Sequence, residues 1–198
     1  VDDPNDMRQI WARIETVLGR IAPKVSAAMP PAATEAQLAA AEATMGVRLP
    51  TDVKDSYRCH DGLPAVLIGL HAALRPLDEI VADWRERAAD AGDPPEEEWP
   101  EDGLIRRDIA WSAGWIPIIG IGNGDVICVD LDPPTPARHG QIIELSHEGL
   151  PAGYEATGLR EFLHTFAADL EADRYAVDPR TIRHEWTHLG LPLVMPKD

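Results

Sequence analysis

The most pointed chemical motif in the chain is His184-Glu185-Trp186-Thr187-His188, which matches H-E-x-x-H. On a helix, two imidazoles four residues apart share one face and can ligate zinc, and the Glu beside them can act as general base. A catalytic zinc also needs a third protein ligand, and no His, Cys or Glu follows His188 in this sequence. The metzincin continuation fails too: Gly190 comes one place early, and Val194 stands where a third His belongs. Pro192 stops a helix directly afterwards. A zinc hydrolase is kept as a rival reading, and the segment is expected to hold no metal.

Other constellations are weaker. Gly120-x-Gly122-x-Gly124 lacks the G-x-G-x-x-G spacing of a dinucleotide loop, and Asp125 behind it leads into a strand and would repel phosphate. Asp125, Asp130 and Asp132 lack the order and terminal Glu of an EF-hand, which leaves turn capping and strand termination. Asp125 also stands at a hairpin tip, where a partner could read it. Cys59 and His60 are adjacent and so point in different directions, without a nucleophile signature. Trp99, Trp111 and Trp115 cluster ahead of the central strands. Two readings are open for Trp115: core packing, or an aromatic anchor for a partner.

The elements that must position these residues follow from periodicity. Ile10, Trp11, Ile14, Leu18 and Ile21 recur at helical spacing, and Pro23 ends the run. Thr34 and Gln37 form a capping box opening an Ala-rich helix that stops at Gly46. Further helices are expected over 51–60, 76–89 and 158–172, alongside the first two at 7–21 and 35–45. Residues 65–70 read as a short strand. Strands are expected over 115–121, 125–131 and 140–146, joined by short connections into an antiparallel meander. Helices first, a meander in the middle and a closing helix define an α+β fold: a central antiparallel sheet flanked by N-terminal helices and a C-terminal helix.

Charge narrows the function classes. The 198 residues carry 18 Lys and Arg against 34 Asp and Glu, a net charge of −16. Such a field repels nucleic acid and anionic membrane and attracts basic partners, although acidity also serves plain solubility. Seven of the carboxylates lie between Asp90 and Asp102, with three prolines and no basic residue, which reads as a solvated loop. No run approaches a membrane span, and the polar N-terminus has no signal-peptide core. Two cysteines are too few for a disulfide framework, so a cytoplasmic protein with reduced thiols is expected.

Several motifs in this order resemble the SUKH superfamily, which includes bacterial immunity proteins and fungal cell-wall-assembly regulators. They are Leu49-Pro50 with Tyr57 and Asp61-Gly62; Leu77-Asp78-Glu79-Ile80; Trp115-Ile116-Pro117 with Gly122-x-Gly124-Asp125; Cys128-x-Asp130-Leu131-x-Pro133; Gly140-Gln141 with His147; and the Phe162-Leu163 helix. The resemblance spans about residues 7–175, with 90–102 as an acidic Pro-rich insertion and 176–198 as a C-terminal extension. It implies an α+β domain without catalytic activity or cofactor. Many bacterial members neutralise toxins, nucleases among them, and fungal members act as regulatory scaffolds. The expectation is a non-enzymatic immunity protein, monomeric or weakly dimeric, that covers a basic toxin domain. Glu96, Glu97, Glu98 and Asp102 are expected to steer association, with Trp115, Asp125, Gly140 and Gln141 as contacts.

Overall fold

A computed structural model describes residues 6–64, 66, 74–89, 103–120, 125–146, 151–178, 191 and 193–197. Helix α1 (Met7–Ile21) starts where Asp6 accepts a hydrogen bond from the Arg8 N–H at 2.9 Å, and it buries Ile10, Trp11, Ile14 and Leu18. Pro23 both ends α1 and opens the short α2 (Pro23–Ala27), because a residue without an N–H costs nothing at the first helical position. The Thr34–Gln37 capping box opens α3 (Glu35–Met45), and Gly46 closes it with φ 68°, a left-handed conformation that suits glycine. Helices α4 (Thr51–Tyr57) and α5 (Leu77–Ala89) follow.

The sheet is an antiparallel meander in the order β1 (Trp115–Gly120), β2 (Val126–Asp130), β3 (Gln141–Leu145) and β4 (Pro151–Ala156). Three of these strands lie where periodicity puts them. The fourth does not announce itself, since Pro151-Ala152-Gly153 has no β-branched residue; Pro151 is tolerated because β4 is an edge. Helix α6 (Leu159–Glu171) packs on α1, where Arg13 holds Glu171 through two bonds of 2.8 and 2.7 Å. A second, two-stranded sheet joins β5 (Tyr175–Asp178) to β6 (Leu193–Pro196). Tyr175 and Val194 belong to the same core as the helices, so both strands of this second sheet contribute to the domain core. Of the expected strand at 65–70, only Val66 is described, and it bridges Val194. The remainder of that strand and the 184–188 motif lie outside the described residues.

Both faces of the sheet are covered. Ile116, Ile127, Val129 and Ile142 face the helices. Trp115, Val126, Cys128, Ile143 and Leu145 face a second, smaller core roofed by Leu104, Ile105, Ile109 and Trp111. Two-sided burial is why β2 reads as an unbroken apolar run rather than an alternating one.

Candidate interaction surface

Most of the motif residues hold the fold together from inside. Tyr57 donates its hydroxyl to the Arg75 carbonyl at 2.7 Å, and Asp61 accepts the Leu77 N–H at 2.9 Å, capping α5. Gly62 (φ 99°) lets the chain pass where a Cβ would sit 2.8 Å from the Leu74 carbonyl oxygen. At the end of the β2–β3 pair, the buried Asp130 carboxylate accepts the Asp132 N–H at 2.9 Å and the Gln141 Nε2 at 2.8 Å. Burial pushes the Asp130 carboxyl above its ordinary range. The same Gln141 amide donates to the Leu104 carbonyl at 2.6 Å, tying the roof segment to the sheet.

Three expected partner contacts are therefore corrected. Trp115 is 1% exposed and stacks edge-on against Trp111, with ring centroids 5.7 Å apart. Gln141 is equally buried in its bonds to Asp130 and Leu104. Gly140 is buried with φ 92°, where a Cβ would lie 3.2 Å from Pro50 Cγ. None of these side-chain positions is at the surface. The open choice for Trp115 falls to packing. Asp125 is half-buried just ahead of β2. Glu96, Glu97, Glu98 and Asp102 lie outside the described residues.

The mounting of the acidic segment is described on both sides. Before it, α5 is pinned by Trp84 Nε1 donating to the Ala113 carbonyl at 2.9 Å, and the Arg87 guanidinium sits over the Trp111 ring at 5.4 Å. Asp83 bridges Arg75 and Arg87. After it, Thr135 Oγ1 donates to the Gly103 carbonyl at 3.3 Å, and Arg106 forks onto Asp108 and reaches Asp132 at 2.8 Å. The hydrogen bonds to Asp108 and Asp132 raise the Arg106 pKa further. Sequence reading placed Arg106 in no role; its signal was the pair of carboxylates at Asp108 and Asp132, too common to single out.

Nine Lys and Arg side chains are paired with carboxylates inside the described fold: Arg13, Lys54, Arg58, Arg75, Arg87, Arg106, Arg160, Arg174 and Lys197. The fold thus occupies much of its own positive charge locally, while the stretch 90–102 has no basic residue within it.

A recess of about 500 Å³ lies between α4 and α6, lined by Thr51, Asp52, Thr157, Gly158, Arg160, Glu161 and His164. Its polar groups serve α6: Asp52 accepts the Arg160 N–H at 3.1 Å, and Glu161 accepts the Thr157 hydroxyl at 2.5 Å and the Thr157 N–H at 2.8 Å, which together lower the Glu161 pKa. Two carboxylates against an arginine and a histidine select no ligand charge. The recess is a seam between helices. Among the described residues no group of His, Cys, Asp and Glu is placed to hold a metal ion, and no helix is long and apolar enough to cross a membrane.

Among the described residues the buried Asp130 and Gln141 hold the α+β domain together from inside. The SMI1/KNR4 (SUKH-1) family model matches residues 32–165, and the chain belongs to that family. At family level the role is non-catalytic, in immunity or regulation, through protein partners. No curated protein matches the chain.

Proposed function

We propose that this chain is a cytoplasmic immunity protein that neutralises a basic, nuclease-type toxin by surface and charge complementarity. The observation that supports this is the charge distribution. Seven carboxylates without a cation stand in one 13-residue stretch of a chain at −16, between two pinned flanks. A nuclease presents a cationic cleft for phosphate, and an acidic segment can fill it in place of the nucleic acid. Glu96, Glu97, Glu98 and Asp102 steer the encounter, and Asp125 is a further acidic contact. Charge pairs of this kind mainly raise the association rate and select the partner.

The family's regulatory role is the alternative, and it differs in what the partner does. Affinity purification from the native host, followed by assay of the captured partner, separates them. The immunity reading expects a basic polypeptide with nuclease activity that an equimolar amount of this protein abolishes. A partner that is acidic, or whose activity is unaffected, overturns it.

A further inference from the structure

His60 stands just past α4, where three parts of the chain meet. Its Nδ1 lies 2.7 Å from the Pro30 carbonyl oxygen, and its Nε2 lies 2.6 Å from Glu15 Oε1 on α1. The ring rests against the buried Trp11, with centroids 5.0 Å apart and planes tilted by 55°. Trp11 donates Nε1 to the buried Ser56 hydroxyl at 3.1 Å, which fixes the surface under the ring. Both imidazole nitrogens therefore face oxygen. A carbonyl has no hydrogen to give, and an ionised carboxylate has none either. A neutral imidazole carries one N–H and one bare lone pair, so it can serve only one of these partners, whereas the imidazolium serves both.

The charges around the ring come from two sides. Asp6, Arg8 and Glu15 on the α1 side and Asp55 on α4 all act on the neighbouring Cys59. Asp55 is engaged by Arg58 at 3.0 Å, and Asp61 accepts the Leu77 N–H. The Cys59 thiol, pushed up by burial, donates to the Asp55 carbonyl and stays neutral. Residues 28–33 bring no titratable side chain. Among the described residues Glu15 is thus the one carboxylate in hydrogen-bond contact with the ring.

We propose that His60 is a proton-operated latch: with both nitrogens protonated it ties α1 and the 28–33 segment to the end of α4, and loss of one proton releases Glu15. Glu15 is the arm that lets go, because its side chain is 47% exposed and can turn to water. Pro30 is held in place by its neighbours, through Asp61 N–H to the Pro31 carbonyl at 3.0 Å and Ala33 N–H to the Tyr57 carbonyl at 2.8 Å. Ile10, Trp11 and Ile14 keep α1 seated in the core, so the opening is local. Helix α1 precedes the span that the family model matches, so the latch joins an element outside that span to the domain.

Nitrogen NMR of the His60 ring in the full chain tests this. At about pH 7, where an ordinary imidazole is mostly neutral, both ring nitrogens should give N–H shifts. Glu15→Gln supplies an amide N–H that can donate to a bare Nε2, so the variant ring should show one N–H and one bare nitrogen at the same pH. A bare nitrogen in the wild type overturns the proposal, and so does an unchanged ring in the variant. Thermal unfolding gives a second readout. The latch favours the charged ring, so its stabilisation is full below the ordinary imidazole value of about 6.5 and fades as pH rises above it. Between about pH 6 and about pH 9 the wild type should therefore lose about 2 °C or more in Tm relative to Glu15→Gln. A difference that stays constant with pH, or moves the other way, overturns the latch.

Discussion

Replacing Gln141 with Leu removes a donor from a buried carboxylate without opening a large void. Among the described residues Gln141 Oε1 has no hydrogen-bond partner, so the loss is confined to the two bonds of Nε2, at 2.8 Å to Asp130 and 2.6 Å to the Leu104 carbonyl. A hydrogen bond to a charged group contributes about 1.5–3 kcal/mol and a neutral one about 0.5–1.5, so the variant should lose roughly 2–4 kcal/mol at neutral pH. The loss should depend on pH, and its sign follows from the raised pKa of Asp130. A carboxyl whose folded pKa lies above its unfolded value of about 3.9 favours the native state least once pH has risen through the folded value. Gln141 holds that value down, so Leu lets it climb and deepens the loss on the alkaline side. Between about pH 4 and about pH 8 the difference between variant and wild type should grow by about 1 kcal/mol, or about 2–4 °C in Tm for a chain of this size. Urea unfolding of both proteins across that range measures it. A loss below about 1 kcal/mol at neutral pH, or one that stays constant with pH, refutes the assignment of Asp130 and Gln141 as an internal clasp.

Gly62→Ala should cost more than Gly140→Ala by thermal unfolding, because its Cβ meets backbone at 2.8 Å whereas Gly140 meets the side chain of Pro50 at 3.2 Å; each left-handed position adds strain of order 1–3 kcal/mol. Thr34→Ala should lose about 1 kcal/mol in denaturant unfolding by deleting the capping box. Metal analysis of purified protein should find no equimolar zinc, and replacing His184 and His188 with Ala should leave the metal content unchanged; stoichiometric zinc lost on that replacement revives the hydrolase reading.

The regular elements were legible because their signals are local. The Thr34–Gln37 box, the apolar stripe of α1 and the run Val126–Val129 each place an element to within a residue or a few. Elements defined by distant partners were not: β4 is a strand because β3 lies beside it, and β5 finds β6 across a long interval of chain. The site residues show the same division. Gln141 looks like surface polarity in the sequence, but its partner Asp130 is reached only once β2 and β3 are in register. One signal was available. An unbroken apolar strand must be covered on both faces, so polar residues at its end are inside and need partners. Glu15 and His60, 45 positions apart, gave no sequence signal at all, since a contact across two elements has no spacing.

The electrostatic account rests on the acidic segment, and its association kinetics test it most directly. Stopped-flow mixing with the captured basic partner should show association slowing as salt rises, because the screening length falls from ~10 Å at 0.1 M to ~3 Å at 1 M. Converting Glu96, Glu97 and Glu98 to Gln and Asp102 to Asn should lower the low-salt association rate about tenfold or more, since steering raises such rates ~10–10³-fold. It should also flatten the salt dependence and leave stability within about 0.5 kcal/mol, as for substitutions that touch no core. Unchanged association by the variant at every salt concentration contradicts the account and reduces residues 90–102 to an insertion without a part in binding.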